Sequence, residues 1–311
     1  MGLYLFRRSV HGVGVLVVVL LCSFALLAFV PGDAARQVAG PRASEERVEQ
    51  IRHQLGLDQN VFVQMWRYLG RLIEGDFGST ANGSAQVGSL MWENAPVTLW
   101  LLVGSLLLTA VASLVLAVAA VRRPGGFLDR LVVFSGTVGL ALPSFWLGIV
   151  LLITVARPTG WFPIGGWGDT LGEQFRAIVL PSITLAVSLI PITTRSLRTS
   201  MLEVLSSDYI AAGRSVGLHG WALFRHFVLR NALVPTVALF AAMTGVVLSG
   251  TVLVEATFGL PGLGQMMVSG AVNRDLNVVQ GLTVVFAFGV VAANIVGDMV
   301  VAALDPRIAR R

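Results

Sequence analysis

The chain has 311 residues, of which 55% are hydrophobic and only 13% charged, with a formal net charge of +5. A soluble domain of this size carries about 25% charged residues. The excess apolar content falls in discrete blocks, which reads as a polytopic membrane protein. Every basic residue is arginine. A P-loop needs a lysine to reach the nucleotide's β- and γ-phosphates, so the chain has no ATP site of the usual kind. Cys22 is the sole cysteine; it excludes an intramolecular disulfide and, in its apolar run, points to packing.

About 20 apolar residues cross a hydrocarbon core. The first block, 13–30, follows Arg7-Arg8. It is long for the apolar part of a signal sequence and no small-x-small cleavage site follows, so it reads as a retained span. Residues 31–96 form an outer segment too polar to cross. Within it, 45–55 reads as a helix with Ser44 as N-cap and Gly56 as stop. Val48, Ile51 and Leu55 make one apolar stripe. A second helix is expected over 61–73, with Val61, Met65, Tyr68 and Leu72 on one face. Both stripes must bury against something. Either they pack on this chain's own outer surface, or Val48, Ile51, Leu55, Met65 and Tyr68 receive a soluble delivery protein.

Further spans are expected at 97–121, 131–155, 178–194, 236–255 and 278–304. Pro143 sits inside the third. The fourth is the weakest, being short and carrying Pro181 and Pro191, which kink or shorten helices. Such breaks are tolerated where neighbours re-satisfy the backbone, often near a pathway.

Residues 198–235, between the fourth and fifth spans, are polar and arginine-rich. Ser206-Ser207-Asp208 starts a helix through capping side chains. Gly217 ends it in the left-handed conformation. A second helix is expected from Trp221 to Leu233, and Pro235 marks the beginning of the fifth span. Ala211, Ala212 and Gly213 permit close approach of another backbone. Two short helices joined by a sharp turn suit docking into a partner's groove; a basic amphipathic loop lying on anionic lipid is the plainer reading. After the fifth span, the Gly/Pro-rich stretch from Phe258 through Pro261 to Met267 indicates a tight turn and then a short helix or re-entrant element.

With the N-terminus inside, the inner segments hold 13 arginines against Asp129, Glu203, Asp208 and Asp305. The outer segments hold nine arginines against eleven acids. The positive-inside rule then places both termini in the cytoplasm. Charges inside spans are functional candidates by default. Glu255 and Asp298 are read either as caps or pairs within the bundle, or as pathway groups. Arg195 reads as snorkelling to the inner interface. Pro143, Ser144, Thr244, Ser249 and Thr251 are candidates to line a pathway, although Ser and Thr also join helices. No H-E-x-x-H motif occurs and none of the four histidines is mid-span beside an acid, which leaves an intramembrane protease without support. A carrier driven by an ion gradient through Glu255 and Asp298 leaves the patterned inner segment unexplained.

Ala211-Ala212 with the following Gly217, and the later Leu233-Val234-Pro235, resembles the "EAA" loop of permeases in binding-protein-dependent ABC importers. The whole chain looks like the first permease of dipeptide/oligopeptide importers. The strings carrying the likeness run from Tyr4-Leu5-x-Arg7-Arg8 and Pro31-Gly32-Asp33 through Asp208-Tyr209-Ile210 and Leu229 to Pro235. They continue with Val254-Glu255-x-x-Phe258-x-x-Pro261-Gly262-Leu263-Gly264, Arg274-Asp275 and Asp305-Pro306-Arg307. The glutamate that names the loop is absent, Ile210 standing before Ala211-Ala212, and the run from Gly217 to the proline is longer than in sugar-type permeases.

The resemblance implies an all-α membrane protein with six transmembrane helices in the type I importer permease fold. Residues 1–30 would be the cytoplasmic N-terminus and first span, 31–96 an extracytoplasmic helical insert, and 97–311 the permease core with its cytoplasmic coupling loop at 198–235. It implies a second permease, two ATPase subunits that hold the ATP and magnesium, and an extracytoplasmic binding protein that delivers a peptide. This chain would hold no cofactor, bind no nucleic acid and sit in the bacterial inner membrane. Asp208, Ala211, Ala212, Gly217, Leu218, His219 and Trp221 are the expected coupling residues, and Pro261 is a further candidate contact for the binding protein. Members of this family carry dipeptides, oligopeptides, glutathione or chelated nickel.

Overall fold

The computed structural model describes residues 2–29, 34–40, 43–55, 58–81, 83–138 and 143–304. These residues are helical nearly throughout, with one isolated antiparallel bridge between Ser79 and Gln86. Helix α1 (Gly2–Phe29) is followed by three short helices, α2 (Ala34–Ala39), α3 (Glu45–Leu55) and α4 (Val61–Ile73). Then come α5 (Val87–Arg122), α6 (Phe127–Val138) and α7 (Ser144–Leu151). A π-helical turn, Leu152–Ala156, leads from α7 into α8 (Arg157–Thr159), which ends at left-handed Gly160. The remaining helices are α9 (Leu171–Leu205), α10 (Asp208–Ser215), α11 (Gly220–Leu223), α12 (Arg230–Phe258), α13 (Leu263–Val272) and α14 (Leu276–Leu304).

Four runs are long and apolar enough to cross a membrane: α5, α9, Gly220–Phe258 and Leu276–Ala303 of α14. The first and third expected spans correspond to shorter apolar stretches, Val10–Ser23 in α1 and Ser144–Thr159. Residue 30 and residues 139–142, which those two spans also included, lie outside the described residues. Helix α5 begins at Val87, ahead of the expected span, and carries Pro96 within it.

The fourth span reverses the expectation that it is short and weak. Helix α9 runs unbroken for 35 residues through Pro181 and Pro191. At 1.5 Å per residue it is about 50 Å long, against a hydrocarbon core of about 30 Å. It begins with a capping box, Thr170 accepting from Glu173 N–H while the Glu173 side chain accepts from Thr170 N–H. Each proline removes one helical donor, to Ala177 O and to Val187 O; the hydroxyls of Thr184 and Thr193 bond other carbonyls, Leu180 O and Leu189 O. Burial holds the helix instead: 67% of the most apolar window of α9 is buried, against 28% for α5 and 6% for α14. A helix packed this closely by its neighbours cannot unwind at a proline without leaving voids. Helix α9 is therefore the central mast of the bundle.

Two apolar clusters stack along it. One joins Leu101, Leu180, Leu185, Val254, Phe258 and Leu260. The other joins Ala117, Val121, Leu197, Met201, Ile210 and Val228. Between them Ser113 of α5 and Thr193 of α9 share a 2.5 Å hydrogen bond, a polar tie between the two helices. Small residues let helices close up elsewhere. A Cβ at Gly104 would lie 2.7 Å from Ser182 Oγ, and one at Gly297 of α14 would collide with Ala241 of α12.

Gly297→Ala therefore forces α12 and α14 apart and lowers stability by about 1–3 kcal/mol. Gly14→Ala adds a Cβ that meets nothing within 4 Å and leaves stability unchanged or slightly raised. Thermal unfolding of the purified variants in detergent measures both.

Candidate functional site

Helix α9 projects its last turns beyond the apolar stretch and delivers the chain to α10. Ser207 stands at the N-cap of α10 in extended conformation, but its hydroxyl bonds Val204 O and caps nothing. The helix ends at Val216, and Gly217 takes φ +90° as the sequence predicts. The turn closes through Gly217 N–H to Arg214 O and Leu218 N–H to Gly213 O. His219 Nδ1 lies 2.8 Å from Gly217 O.

The second inner helix differs from expectation. It starts at Gly220, passes through a π-helical turn at Phe224–Leu229, and merges into α12 without a break. Pro235 lies inside that helix rather than before it. The wide turn just upstream absorbs the register change, a usual role of such turns.

One face of this segment is fixed and the other open. Ile210, Leu223, Val228 and Ala232 are buried against Ala117, Val121, Leu197 and Met201. Asn231 Nδ2 reaches the Tyr209 hydroxyl at 3.4 Å, joining α10 to the base of α12. Asp208, Ala211, Ala212, Val216, Gly217, Leu218, His219 and Trp221 are exposed. Trp221, 63% exposed, stacks on Phe224 with ring centroids 5.6 Å apart. Behind that pair is a cavity of about 370 Å³ lined by Val118, Val121, Arg122, Leu205 and Gly220. All seven expected coupling residues are thus exposed. Gly213 is different: its nearest neighbour is Leu223 of its own chain.

An ion pair that the sequence did not reveal braces this end. Asp129, in the first turn of α6, accepts from Arg198 of α9 through Nε and, at 2.8 Å, through Nη2. It also accepts from Gly125 N–H at 2.8 Å. The guanidinium and this amide hold the Asp129 carboxyl below the usual carboxylate range, against the opposing effect of its burial. Only the presence of a lone acid in a basic inner turn hinted at it.

At the other end Glu255 is fully buried near the end of α12. Its Oε2 accepts from Gly264 N–H at 2.7 Å and Gln265 N–H at 3.1 Å, the first turn of α13. Thr98 of α5 accepts from Leu263 N–H at 2.8 Å. The carboxylate thus satisfies free donors of a helix that re-enters the bundle after the Gly/Pro turn. A Cβ at Gly262 would collide with that carboxylate, and one at Gly264 would lie 2.5 Å from Val252 Cα. Pro261 sits exposed on the turn. Beyond α13, Asp275 accepts from Ala81 N–H at 2.7 Å, and Asn277 donates to Ser79 O at 2.7 Å. These bonds seat the bridged loop 79–86 against the α13–α14 junction, an element with no strong pattern in sequence.

The other sequence candidates do not converge. Thr244, Ser249 and Thr251 each donate to their own helix backbone. Thr251 is buried while Ser249 is exposed on the other side of α12. Asp298 is half-buried on α14, Pro143 is exposed and Ser144 half-buried. In the outer segment, Val48 is buried against Ala35. Tyr68, with Met65 and Leu72 beside it, packs on Leu20 of α1 and Val284 of α14. Burial pushes the Tyr68 hydroxyl up to about 12, against the opposing effect of nearby Arg71. The side chains of Ile51 and Leu55 lie outside the described residues.

An apolar helical bundle that holds an exposed, anchored helical elbow at one end is the frame of a transport permease. Comparison with known proteins places it more closely. Residues 110–310 match the family described as the binding-protein-dependent transport system inner membrane component. Residues 1–110 match the N-terminal part of the same kind of protein. The chain is 34% identical over 316 residues to the oligopeptide transport system permease protein AppB of Bacillus subtilis, covering 99% of each. It is 33% identical to a probable peptide ABC transporter permease of Sinorhizobium fredii, covering 99% of each. It is 32% identical to the glutathione transport system permease protein GsiC of Salmonella paratyphi A, covering 98% of each. The chain belongs to the binding-protein-dependent transport permeases, and is a multi-pass membrane protein of the ABC importer class.

Two outcomes follow from the fixed ends. Glu255→Ala leaves two donors of α13 without an acceptor and costs about 1–3 kcal/mol. Glu255→Gln keeps one acceptor oxygen and costs less; thermal unfolding ranks them. The Asp129 pair depends on pH in one direction. Its carboxyl is lower in the folded than in the unfolded chain, so its contribution is complete above the unfolded value of about 4. It is lost as pH falls through the folded value. Asp129→Asn flattens the acid limb of the melting temperature against pH.

Proposed function

We propose that this chain is one half of a two-permease channel that takes short peptides from an extracytoplasmic binding protein into the cytoplasm. The observation that carries the reading is the inner elbow. Ile210 anchors α10 to the bundle while Ala211, Ala212, Val216, Leu218 and Trp221 remain open to a partner. A short helix rigidly held on one side and bare on the other suits a groove on a soluble subunit. That subunit is an ATPase, and two of them hold the ATP and magnesium; this chain contributes no cofactor. Asp208, Ala211, Ala212, Gly217, Leu218, His219 and Trp221 form the contact. Closure of the ATPase pair moves the elbow, and the bundle exchanges outward-open for inward-open states.

In this reading both termini and the 198–235 loop are cytoplasmic, in the bacterial inner membrane, as the arginine distribution favours. Residues 31–96 are the extracytoplasmic insert, and Pro261 with the loop 79–86 faces the binding protein. The pathway groups are sought among Pro143, Ser144, Thr244, Ser249, Thr251 and Asp298. Glu255, committed to α13, acts as a clasp, which weakens the ion-driven alternative. The relatives named for peptides and for glutathione, itself a tripeptide, support a short peptide as cargo.

The test is co-expression with the neighbouring permease, ATPase and binding-protein genes, purification through a tag on this chain, and assay of ATP hydrolysis with and without a dipeptide. ATPases co-elute and hydrolysis rises with loaded binding protein. In Gly217→Trp a bulky side chain must adopt φ +90°, which costs about 1–2 kcal/mol and displaces the contact. Stimulated hydrolysis falls by about tenfold, within the usual range of coupling between sites. A stable chain that retains no ATPase overturns the proposal.

A further inference from the structure

Arg198 occupies a particular place on α9. Its neighbours Leu197 and Met201 are buried in the same cluster as Ile210, so these turns of the mast hold α10 by apolar contact. From the adjoining side Arg198 holds α6 through Asp129. Arg198 lies seven residues before Leu205, the last residue of α9, which is about 10 Å along the helix. One short stretch of α9 is thus fastened to the exposed elbow and to the start of α6.

The two fastenings differ in kind. The apolar contact holds α10 in place but is non-directional, so by itself it selects no particular orientation. The Asp129–Arg198 contact is a two-pronged, charge-assisted pair that fixes angle as well as distance. Its carboxylate is held a third time by Gly125 N–H, in the turn between α5 and α6. Asp129 is 4% exposed, so water neither screens nor replaces the contact readily. Stability alone does not require such a pair, because apolar side chains of similar size often serve as well. What an apolar pair lacks is a defined orientation.

We infer that Asp129 and Arg198 are positioning residues of the transport cycle. They make α6 follow the elbow-bearing end of α9, so that movement imposed at α10 reaches the α5–α6 side of the bundle. The inference rests on the ATPase reading of the elbow and adds the route by which its movement enters the helices.

The test uses the whole importer in proteoliposomes and measures peptide taken up per ATP hydrolysed, with ATPase co-elution recorded for each variant. Asp129→Asn keeps the ATPases bound and hydrolysis active, while peptide per ATP falls about tenfold, a usual size for coupling between sites. Arg198→Lys, which keeps the charge but loses the fork, falls between. Exchange of the pair, Asp129→Arg with Arg198→Asp, recovers part of the loss. If Asp129→Asn does not accumulate, the lysine and exchange variants decide alone. Unchanged uptake per ATP overturns the inference. So does a parallel fall of uptake, hydrolysis and melting temperature in all variants, which makes the pair structural only. Absence of ATPase from the wild-type preparation overturns the ATPase reading instead, and is seen before any variant is assayed.

Discussion

Inside hydrocarbon no water is available to a backbone N–H or C=O, and each such group must find its partner within the protein. Among the described residues, the backbone departure after α12 gathers a set of buried polar side chains. After α12 the backbone turns through Gly259, Pro261 and Gly262 and re-enters as α13. The first turn of a helix has donors with no partner of its own. Glu255 meets two of them and Thr98 a third. Because the carboxylate must come within hydrogen-bonding distance of bare backbone, Gly262 and Gly264 carry no side chain there. The acid, the turn and the glycines are one solution to one problem.

The opposite end uses different means. There α9 outruns the hydrocarbon, water is close, and charges are tolerable. The elbow rests on apolar contacts through Ile210, Leu223 and Val228, and the adjoining turn on a buried ion pair. Where Glu255 clasps α13, the contact with Gly264 is side chain to backbone and short in sequence. Where α6 is held, it is side chain to side chain across 69 positions. The first fixes a local shape. The second fixes the relation between helices, which is what an alternating mechanism has to change in an ordered way.

Much of this was legible in the sequence. The apolar blocks, Gly217 as a left-handed stop, and the turn after Phe258 follow from composition and local stereochemistry, which act over a few residues. The mast was misread for the same reason. Pro181 and Pro191 are local helix breakers, whereas the burial of α9 among its neighbours is a property of the whole bundle. The merging of α11 with α12 through Pro235 was missed likewise. Long-range polar ties were illegible: nothing near Asp129 announces Arg198, and nothing in Ser79 or Ala81 announces Asn277 or Asp275. The absence of a loop glutamate has a local physical account. The residue before Ala211 is the buried anchor of α10, and Ile210 fills that place as an apolar side chain should.

The segment between α1 and α5 is joined to the bundle more deeply than its polarity suggests. Tyr68 of α4 packs against Val284, which lies eight residues into α14, about 12 Å along that helix. It also touches Leu20, well inside α1. Helix α4 therefore lies against the sides of two apolar helices. Phe62 (65% exposed), Trp66 (69%) and Ile73 (88%) widen that apolar face beyond what α1 and α14 cover, while Gln64, Arg67 and Arg71 make the opposite, polar face. An apolar face wider than its contacts with the bundle leaves aromatic surface for a further apolar environment. A Tyr or Trp with an apolar body and a polar tip suits the boundary between lipid and water. The polar part of the insert, α2 and α3, is closed on itself through Ala35 and Val48. The insert thus divides by physical character into a half that belongs to the bundle and a half that belongs to water. The seam between them falls between α3 and α4, where the apolar content changes.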